Sequence, residues 1–513
     1  MTVEASEKTV WRIEVANEAE TGYIAQDVAG LLQPDDIVTL IGDLGAGKTT
    51  FARALIRALT GDPTLEAPSP TFTLMQTYEA GERVIVHADL YRIDSGAQLA
   101  DLGWEEAIEG AIALVEWPER APEYFEGSRL AIRLSYADPD KPESRRITIS
   151  AWDAFGPRLA KFKVFRDLLR DAGFGGAKRS FLQGDASSRA YETLEGNDGA
   201  RAILMISPPR PDGPPIRYGK SYSTIARLAE TVKPFVAIAE GLRTHGLSSP
   251  EILAQNLDEG LLVVEDFGRE GVVDDNGPIA ERYLEAAGAL AHLHAQALPD
   301  STPIDANETW YIPPYDLDAL LIEVELIADW YAGHIAKTVV PSGARAVFVN
   351  LWRQALLEIS GATPTWTLRD YHSPNLIWLA EREGVRRVGI IDFQDCVLGH
   401  PAYDVASLGQ DARVTVPDDL EIRLLAHYAR LRREADPAFD MADFARAYSI
   451  LGAQRATKVL GIFARLDQRD GKPAYLAHIP RVEAYLRKCL RHPALAEIKA
   501  WYETSLPTVL AAR

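Results

Sequence analysis

The first residues in this 513-residue chain with the types and spacing to do chemistry are Gly42-Asp43-Leu44-Gly45-Ala46-Gly47-Lys48-Thr49. They fit G-x-x-x-x-G-K-[ST], a loop whose backbone N–H groups cradle phosphates while the lysine reaches the terminal ones and the hydroxyl serves Mg²⁺. A β-branched apolar run at 37–41 precedes the loop and helical spacing at 51–59 follows it. The loop therefore joins a buried strand to a helix whose N-terminus faces the anion. Asp43, Leu44, Gly45, Ala46, Gly47, Lys48, Thr49 and the adjoining Thr50 are the candidate nucleotide contacts. Three further clusters fall where such a loop needs help: Ser69-Pro70-Thr71-Phe72, His87-Ala88-Asp89-Leu90-Tyr91-Arg92 and Val115-Glu116-Trp117-Pro118. The last ends an apolar strand in a carboxylate, the expected position of a Mg²⁺-anchoring acid. Each cluster alone reads equally as a turn or a strand end; with the loop they point to one site.

A second constellation lies far downstream. Leu368-Arg369-Asp370-Tyr371-His372-Ser373-Pro374-Asn375 is followed, seventeen residues after Asn375, by Ile391-Asp392-Phe393-Gln394-Asp395. Phosphoryl transfer needs an acceptor for the attacking hydroxyl's proton and oxygen ligands that hold Mg²⁺ across the phosphates. Asp370, Asn375 and Asp392 supply that set with the spacing of a kinase catalytic loop and metal strand. Upstream, Gly184-Asp185-Ala186-Ser187-Ser188-Arg189-Ala190-Tyr191 reads as a small-residue turn able to offer N–H groups to phosphate. Leu261-Leu262-Val263-Val264-Glu265-Asp266-Phe267-Gly268 is an apolar strand entering an acidic, glycine-ended segment, as at the hinge between two kinase lobes. Ser187, Arg189, Glu265 and Phe267 join the nucleotide candidates.

The elements that must position these groups divide in two. In the front part, strand-like runs at 10–15, 37–41, 72–78, 84–88, 112–117, 130–135 and 147–152 surround a helical stretch at 19–32 and the loop helix. Mixed strands wrapped around one βα unit make a small three-layer α/β domain. An amphipathic stretch follows at 158–172, then Gly173-Phe174-Gly175-Gly176 breaks the pattern. The boundary is placed near residue 156, giving domains 1–156 and 157–513. Two domains suit a chain longer than a single core supports.

Residues 1–155 carry 13 Lys and Arg against 27 Asp and Glu, and so hold −14 of the chain's formal −20. An acidic front domain is a poor unaided binder of nucleic-acid backbones. Two cysteines, Cys396 and Cys489, build neither a disulfide framework nor a thiolate metal site. With no signal-like N-terminus and no long apolar run, a cytoplasmic protein without membrane contact is expected.

The front residues resemble the bacterial TsaE family, the ATPase subunit of the tRNA threonylcarbamoyladenosine machinery. The resemblance runs through the phosphate loop, Ser-Pro-Thr-Phe, His-x-Asp-Leu-Tyr-Arg, Leu102-Gly103 with Glu106, and Val-Glu-Trp. It implies a P-loop fold in which Lys48 and the loop amides bind ATP, Thr49 and Glu116 hold Mg²⁺, and Asp89 positions metal or water. It also implies that the domain serves carbamoyl-transferring partner subunits and does not bind tRNA alone. A nucleotide-gated binding module without useful turnover is the alternative.

The rear residues resemble the aminoglycoside-phosphotransferase-like kinases, more closely their N-acetylmuramate/N-acetylglucosamine anomeric kinase branch. The shared pieces are Gly-Asp-Ala-Ser-x-Arg-x-Tyr, Leu-x-x-Glu-Asp-Phe-Gly, Leu290-Ala291-His292-Leu293-His294, Pro313-Pro314-Tyr315-Asp316, Arg-Asp-Tyr-His-Ser-Pro-Asn, Ile-Asp-Phe-Gln-Asp and Gly399-His400-Pro401-Ala402-Tyr403-Asp404. This implies a bilobal, protein-kinase-like α+β fold, with Asp370 as base, Asn375 and Asp392 as Mg²⁺ ligands, and Asp404 supporting the loop. Amino-sugar phosphorylation in cell-wall recycling is the implied role; an aminoglycoside, a choline-like alcohol or a protein is the alternative acceptor. Two departures stand out: Met205 where a phosphate-pairing lysine is usual, so that either another cation such as Arg189 neutralises the phosphate or nucleotide binding is weaker, and Leu368 where many relatives have histidine. For the sugar, Glu323, Glu325, Asp329, Trp330 and Tyr331 on one helix offer either an aromatic-acidic sugar wall or an ordinary core helix. His372 and Arg413 are nearby cations by sequence.

Overall fold

The computed structural model describes residues 9–80, 83–125, 127, 129–153, 155–182, 189–196, 198–209 and 212–511. The chain divides into two compact units, one reaching Lys178 together with Gly196–Asp198, the other comprising Arg179–Glu195 and Gly199–Arg513.

The first unit is built on β1 (Thr9–Val15), α1 (Glu18–Ala29), β2 (Ile37–Ile41), α2 (Lys48–Thr60), β3 (Met75–Ala80), β4 (Arg83–Asp89), α3 (Gly96–Asp101), α4 (Trp104–Ile108), β5 (Ala111–Glu116), β6 (Leu130–Asp138), β7 (Lys141–Ala151) and α5 (Phe155–Asp171). The strands form one sheet in the order β1-β7-β6-β2-β5-β4-β3. Strands β6, β2, β5 and β4 are mutually parallel; the outer pairs are antiparallel. Because side chains alternate along a strand, β5 sends Ile112 and Leu114 into one core and Ala111, Ala113 and Val115 into another on the opposite face. Helices cover both faces, which gives the three layers expected.

The boundary expected near residue 156 needs correction. It falls at the start of α5, which packs on the front sheet: Phe155 and Leu159 are buried in its core, Phe162 meets Trp11 edge-on at 5.3 Å, and Arg158 pairs with Asp36 at 2.7 Å. The amphipathic stretch belongs to the first unit because its apolar side completes that core.

The second unit opens with a small sheet of β8 (Lys178–Leu182), β9 (Ala190–Glu195), β10 (Arg201–Ile206), β11 (Ile252–Asn256) and β12 (Leu261–Glu265), ordered β11-β12-β10-β9-β8. Helices α6 (Tyr222–Ile225) and α7 (Lys233–Thr244) lie between β10 and β11 in the chain. The larger part is helical: α8 (Ala280–His294), α9 (Leu317–Leu326) extended by a π turn at Ile327–Tyr331, α10 (Ala332–His334), α11 (Ser342–Leu357), α12 (Ala402–Gly409), α13 (Asp418–Ala435), α14 (Met441–Asp470), α15 (Ile479–Cys489) and α16 (Ala496–Ser505). Two short antiparallel pairs, Thr365–Thr367 with Val397–Gly399 and Leu376–Trp378 with Val388–Ile390, hold the segment that carries Asp370 and Asp392. Helix α14 runs through the middle, nearly all of its central turns buried. Its Gly461 lets it touch α9, since a Cβ there would come within 2.5 Å of Leu326. Among the described residues no helix is long and apolar enough to cross a membrane.

Candidate functional site

In the first unit β2 ends at Ile41 and the loop turns back through Gly42, Gly45 and Gly47, all at positive φ. Gly42 is demanded twice, by φ +154° and because a Cβ would meet the Leu134 carbonyl oxygen at 2.4 Å. Helix α2 starts at Lys48 with no side-chain cap on Gly47, leaving the N–H groups of its first turn, Lys48 to Thr50, for an anion. The Lys48 ammonium donates to the carbonyls of Gly42 (2.7 Å) and Asp43 (3.0 Å) and sits 3.7 Å from the Trp117 ring centre. Burial pulls the Lys48 pKa below its usual value, against Glu116, Glu119, Asp89 and Asp43, which push it up. Leu44, at the loop tip, is 77% exposed.

The parallel register places Asp89 beside Glu116 at adjoining strand ends. Glu116 accepts from the Thr49 hydroxyl at 3.0 Å and meets His87 Nε2 at 3.0 Å. Asp89 accepts from the Ser69 hydroxyl, from the Thr71 hydroxyl at 3.2 Å and from the Tyr91 N–H at 3.0 Å. The Ser-Pro-Thr turn and the two strand-end acids are thus gathered around the loop. Arg92 is not gathered: it stacks 5.5 Å from the exposed Phe72 ring. Sequence reasoning missed Arg145 and Tyr136. From the β6–β7 hairpin they reach the loop carbonyls, Arg145 Nε to Ala46 at 2.9 Å and the Tyr136 hydroxyl to Gly45 at 3.3 Å. No local pattern marks them. Trp117 lay within a quoted motif, but its place beside the lysine had no signal.

In the second unit the Asn375 amide donates to the Asp370 backbone carbonyl (2.9 Å) and to Asp392 Oδ2 (3.4 Å), which brings the three residues together. The Asp370 and Asp392 side chains stay 41% and 39% exposed, open to a ligand. Burial would raise the Asp370 pKa, but Lys458, His372, Arg455 and Arg369 overrule it and hold the carboxyl below its usual value. Asp392 moves the other way, raised by burial and by the like charge of Asp370, against Gln394 and Arg189. Gln394 holds Asp392 Oδ1 at 2.7 Å, and Arg189 approaches the same oxygen at 3.4 Å. Met205 is buried in the core opposite Tyr191 and Leu262, so that strand presents no cation here.

Asp404 accepts from the backbone N–H groups of Leu368 (2.6 Å) and Arg369 (2.8 Å), fixing the loop from α12. Burial lifts its pKa to about 7. Leu368 is buried in the core. Arg369, at φ +69°, sends its guanidinium inward to Glu323 and to the Ala226 carbonyl (2.9 Å). Glu265 pairs with Arg382, and Phe267 packs so closely on Gly389 that a Cβ there would meet its ring at 2.7 Å. Ser187 and the rest of Gly184–Ser188 lie outside the described residues.

The sugar-wall expectation is corrected for its acids. Glu323 is fully buried and engaged by Arg369, Lys458 (2.9 Å), Tyr315 and Gln454. Glu325 is bound by Arg217 and Arg345, each at 2.8 Å, and Asp329 by Arg345. Tyr331 is buried and bonded to Glu483. Helical periodicity could not reveal that arginines from elsewhere neutralise this face. Arg413 stacks 4.9 Å from Tyr475, whereas His372 Nε2 lies 3.9 Å from Asp370 Oδ1.

Among the described residues no group of three or more His, Cys, Asp or Glu could hold a metal. Mg²⁺ takes one or two protein carboxylates and fills its octahedron with phosphate and water oxygens. The hydroxyl–carboxylate pair Thr49–Glu116 and the amide–carboxylate pair Asn375–Asp392 are donor sets of that kind.

The family model described as threonylcarbamoyl adenosine biosynthesis protein TsaE matches residues 15–147, and that of the phosphotransferase enzyme family matches 178–440. The N-acetylmuramate/N-acetylglucosamine kinase of Caulobacter vibrioides is 38% identical over 347 residues, 65% of this chain and 94% of that protein. The tRNA threonylcarbamoyladenosine biosynthesis protein TsaE of Rickettsia felis is 42% identical over 135 residues, 26% of this chain and 78% of that protein. Among solved structures, Bacillus subtilus YdiB is 31% identical, with 32% of this chain and 99% of that one covered and a TM-score of 0.26. The chain belongs to both families at once, to the TsaE family through its front region and to the phosphotransferase enzyme family through its rear.

Proposed function

We propose that this protein carries two ATP-dependent activities: an ATPase that supports threonylcarbamoyladenosine modification of tRNA, and a kinase that phosphorylates the anomeric hydroxyl of N-acetylmuramate and N-acetylglucosamine. The observation carrying the kinase reading is the Asn375 amide bridging the Asp370 carbonyl and the Asp392 carboxylate. An acceptor hydroxyl beside Asp370 has an open, ionised carboxylate to take its proton. Asn375 and Asp392 would hold Mg²⁺, which supplies charge neutralisation across the triphosphate. Arg189, beside Asp392, takes the place of the missing strand lysine. Asp404 and Arg369 keep the loop in register.

In the front site the loop amides and Lys48 cradle the phosphates, and Thr49 with Glu116 would hold Mg²⁺. Asp89, fixed by Ser69 and Thr71, orients the attacking water. The acidic surface suits a domain that reaches tRNA through carbamoyl-transferring partner subunits. The names of the Rickettsia and Caulobacter relatives support both assignments.

The test is product identification with labelled ATP on the full chain. Label transferred to carbon one of the amino sugars is the expected result. Transfer only to an aminoglycoside or another alcohol would reject the acceptor assignment.

A further inference from the structure

We propose that a small cavity beside the metal-binding segment of the second unit holds the acetamido group of the acceptor sugar, with Arg227, Trp310 and Gln394 as its hydrogen-bonding partners. This inference rests on the kinase reading above and names the part of the acceptor that is recognised. The cavity has a volume of about 170 Å³, and Arg227, Leu228, Trp310, Pro313, Gln394 and Cys396 are among the residues that line it. Three of these carry a buried side-chain atom with no hydrogen-bond partner among the described residues: Arg227 Nε, Trp310 Nε1 and Gln394 Oε1. A buried polar atom left unpaired is costly, so three around one cavity point to a ligand that supplies the missing bonds.

The bonds these side chains already make fix what is missing. The Gln394 amide nitrogen donates to Asp392 Oδ1 at 2.7 Å; a carboxylate can only accept, so Oε1 is the acceptor left over. Arg227 pairs with Asp316 through Nη2, which leaves Nε as a donor. The Trp310 indole N–H is a donor only. The unmet set is two donors and one acceptor, and an amide group is its complement, a carbonyl oxygen with two lone pairs and one N–H. A water molecule offers the same count, but its share of about 30 Å³ is a small part of this cavity. An acetamido group also brings a methyl to Leu228, Pro313 and Cys396.

The place of the cavity fits the acceptor. Among the described residues none of the five-stranded sheet and none of 265–268, the nucleotide candidates of the hinge, lines it. Its walls are tied directly to the catalytic segments. The Ala229 N–H donates to Asp395 at 2.6 Å, and the Arg369 guanidinium donates to the carbonyls of Ala226 (2.9 Å) and Arg227 (3.3 Å). Gln394 touches Asp392, whose other carboxylate oxygen takes the Asn375 amide that also holds the Asp370 carbonyl. In a 2-acetamido sugar the nitrogen sits on the carbon next to the anomeric one. An anomeric hydroxyl presented to Asp370 therefore carries its acetamido group into the immediate surroundings of that acid. N-acetylmuramate and N-acetylglucosamine share this group, and glucosamine lacks it.

The experiment measures KM and kcat for both N-acetyl sugars at saturating ATP, on the full chain and on its Trp310→Phe and Arg227→Lys variants, with the melting transition of the second unit recorded for each. Trp310→Phe keeps a ring and removes one donor; Arg227→Lys keeps the charge for Asp316 and removes the other. The expected result for each is a rise in KM of about tenfold, equal for the two sugars, with kcat changed by less than about threefold and the melting transition in place. Affinity for glucosamine, read as inhibition of N-acetylglucosamine turnover, should stay within about threefold. If KM is unchanged in both variants, the buried atoms do not meet the acceptor and the inference fails. A loss confined to kcat, or a loss of affinity shared equally by glucosamine, shows that the cavity acts through Asp392 or through packing, and the inference fails while the kinase reading stands. If wild type phosphorylates neither N-acetyl sugar, both fail.

Discussion

Replacing Glu323 by glutamine removes the carboxylate that is ion-paired with two buried cations, Arg369 (1% exposed) and Lys458 (8%). Breaking a buried pair from one side costs about 3–5 kcal/mol, because the partner charge is left uncompensated. Here two cations remain, and glutamine still accepts from Tyr315 and Gln454, so the loss is electrostatic more than steric. At roughly 2 °C per kcal/mol for a large unit, the rear melting transition should fall by about 6–10 °C while the front transition stays in place. Adding Lys458→Met should restore at least about 1 kcal/mol relative to the sum of the single changes. The pH dependence has a definite sign. Burial would raise the Glu323 pKa, but Lys458 and Arg369 hold it below its ordinary 4.5. An acid depressed in this way contributes stability above its unfolded value and loses it as pH falls through the folded one. The gap between wild type and variant should be full at pH 7 and close only below about 4.5. A shift under about 2 °C, or no rescue by the second substitution, would refute the buried-pair argument.

Asp370→Ala should cut phosphoryl transfer by about 10²–10⁴ with nucleotide affinity nearly unchanged, checked by single-turnover transfer and calorimetric ATP titration. Normal transfer in that variant would show that the base lies elsewhere. In an Asp370→Ala background, Lys48→Ala should reduce the remaining ATP hydrolysis, measured with the partner complex present, by on the order of 10²–10³; unchanged hydrolysis would remove the loop lysine from the mechanism. Asp404, raised to about 7 from 3.8, binds its proton in the folded state before the unfolded one. Its contribution to stability therefore grows as pH falls from about 7 towards 4, and Asp404→Asn should flatten that part of the Tm-versus-pH curve. Parallel curves would contradict this. Gly461→Ala should destabilise the rear unit by about 1–3 kcal/mol in urea, because α14 cannot keep its approach to Leu326; a neutral effect would mean that the two helices can separate at little cost.

The phosphate loop and the Asp370–Asn375–Asp392 set were legible because each is a local or fixed-spacing pattern with one chemistry behind it. The strands flanking the loop were legible too, since β-branched runs mark buried parallel strands. What depends on distant partners was not. Thr49 and Glu116 stand 67 positions apart, and only the β2–β5 register brings them together. Arg145 reaches the loop from nearly one hundred residues downstream. The acids of α9 looked like a ligand wall because nothing near them in sequence announces Arg217, Arg345, Arg369 or Lys458.

The seating of α5 on the front sheet governs where the two halves can be taken apart. A cut at residue 156 would lift Leu159 and Phe162 off their neighbours, each worth about 1.5–3 kcal/mol of burial. It would also orphan Asp36 and Asp27 from Arg158 and Arg166, and the severed rear piece would begin with a bare greasy helix prone to clumping. Scission beyond Phe174 leaves that helix on the sheet it packs against.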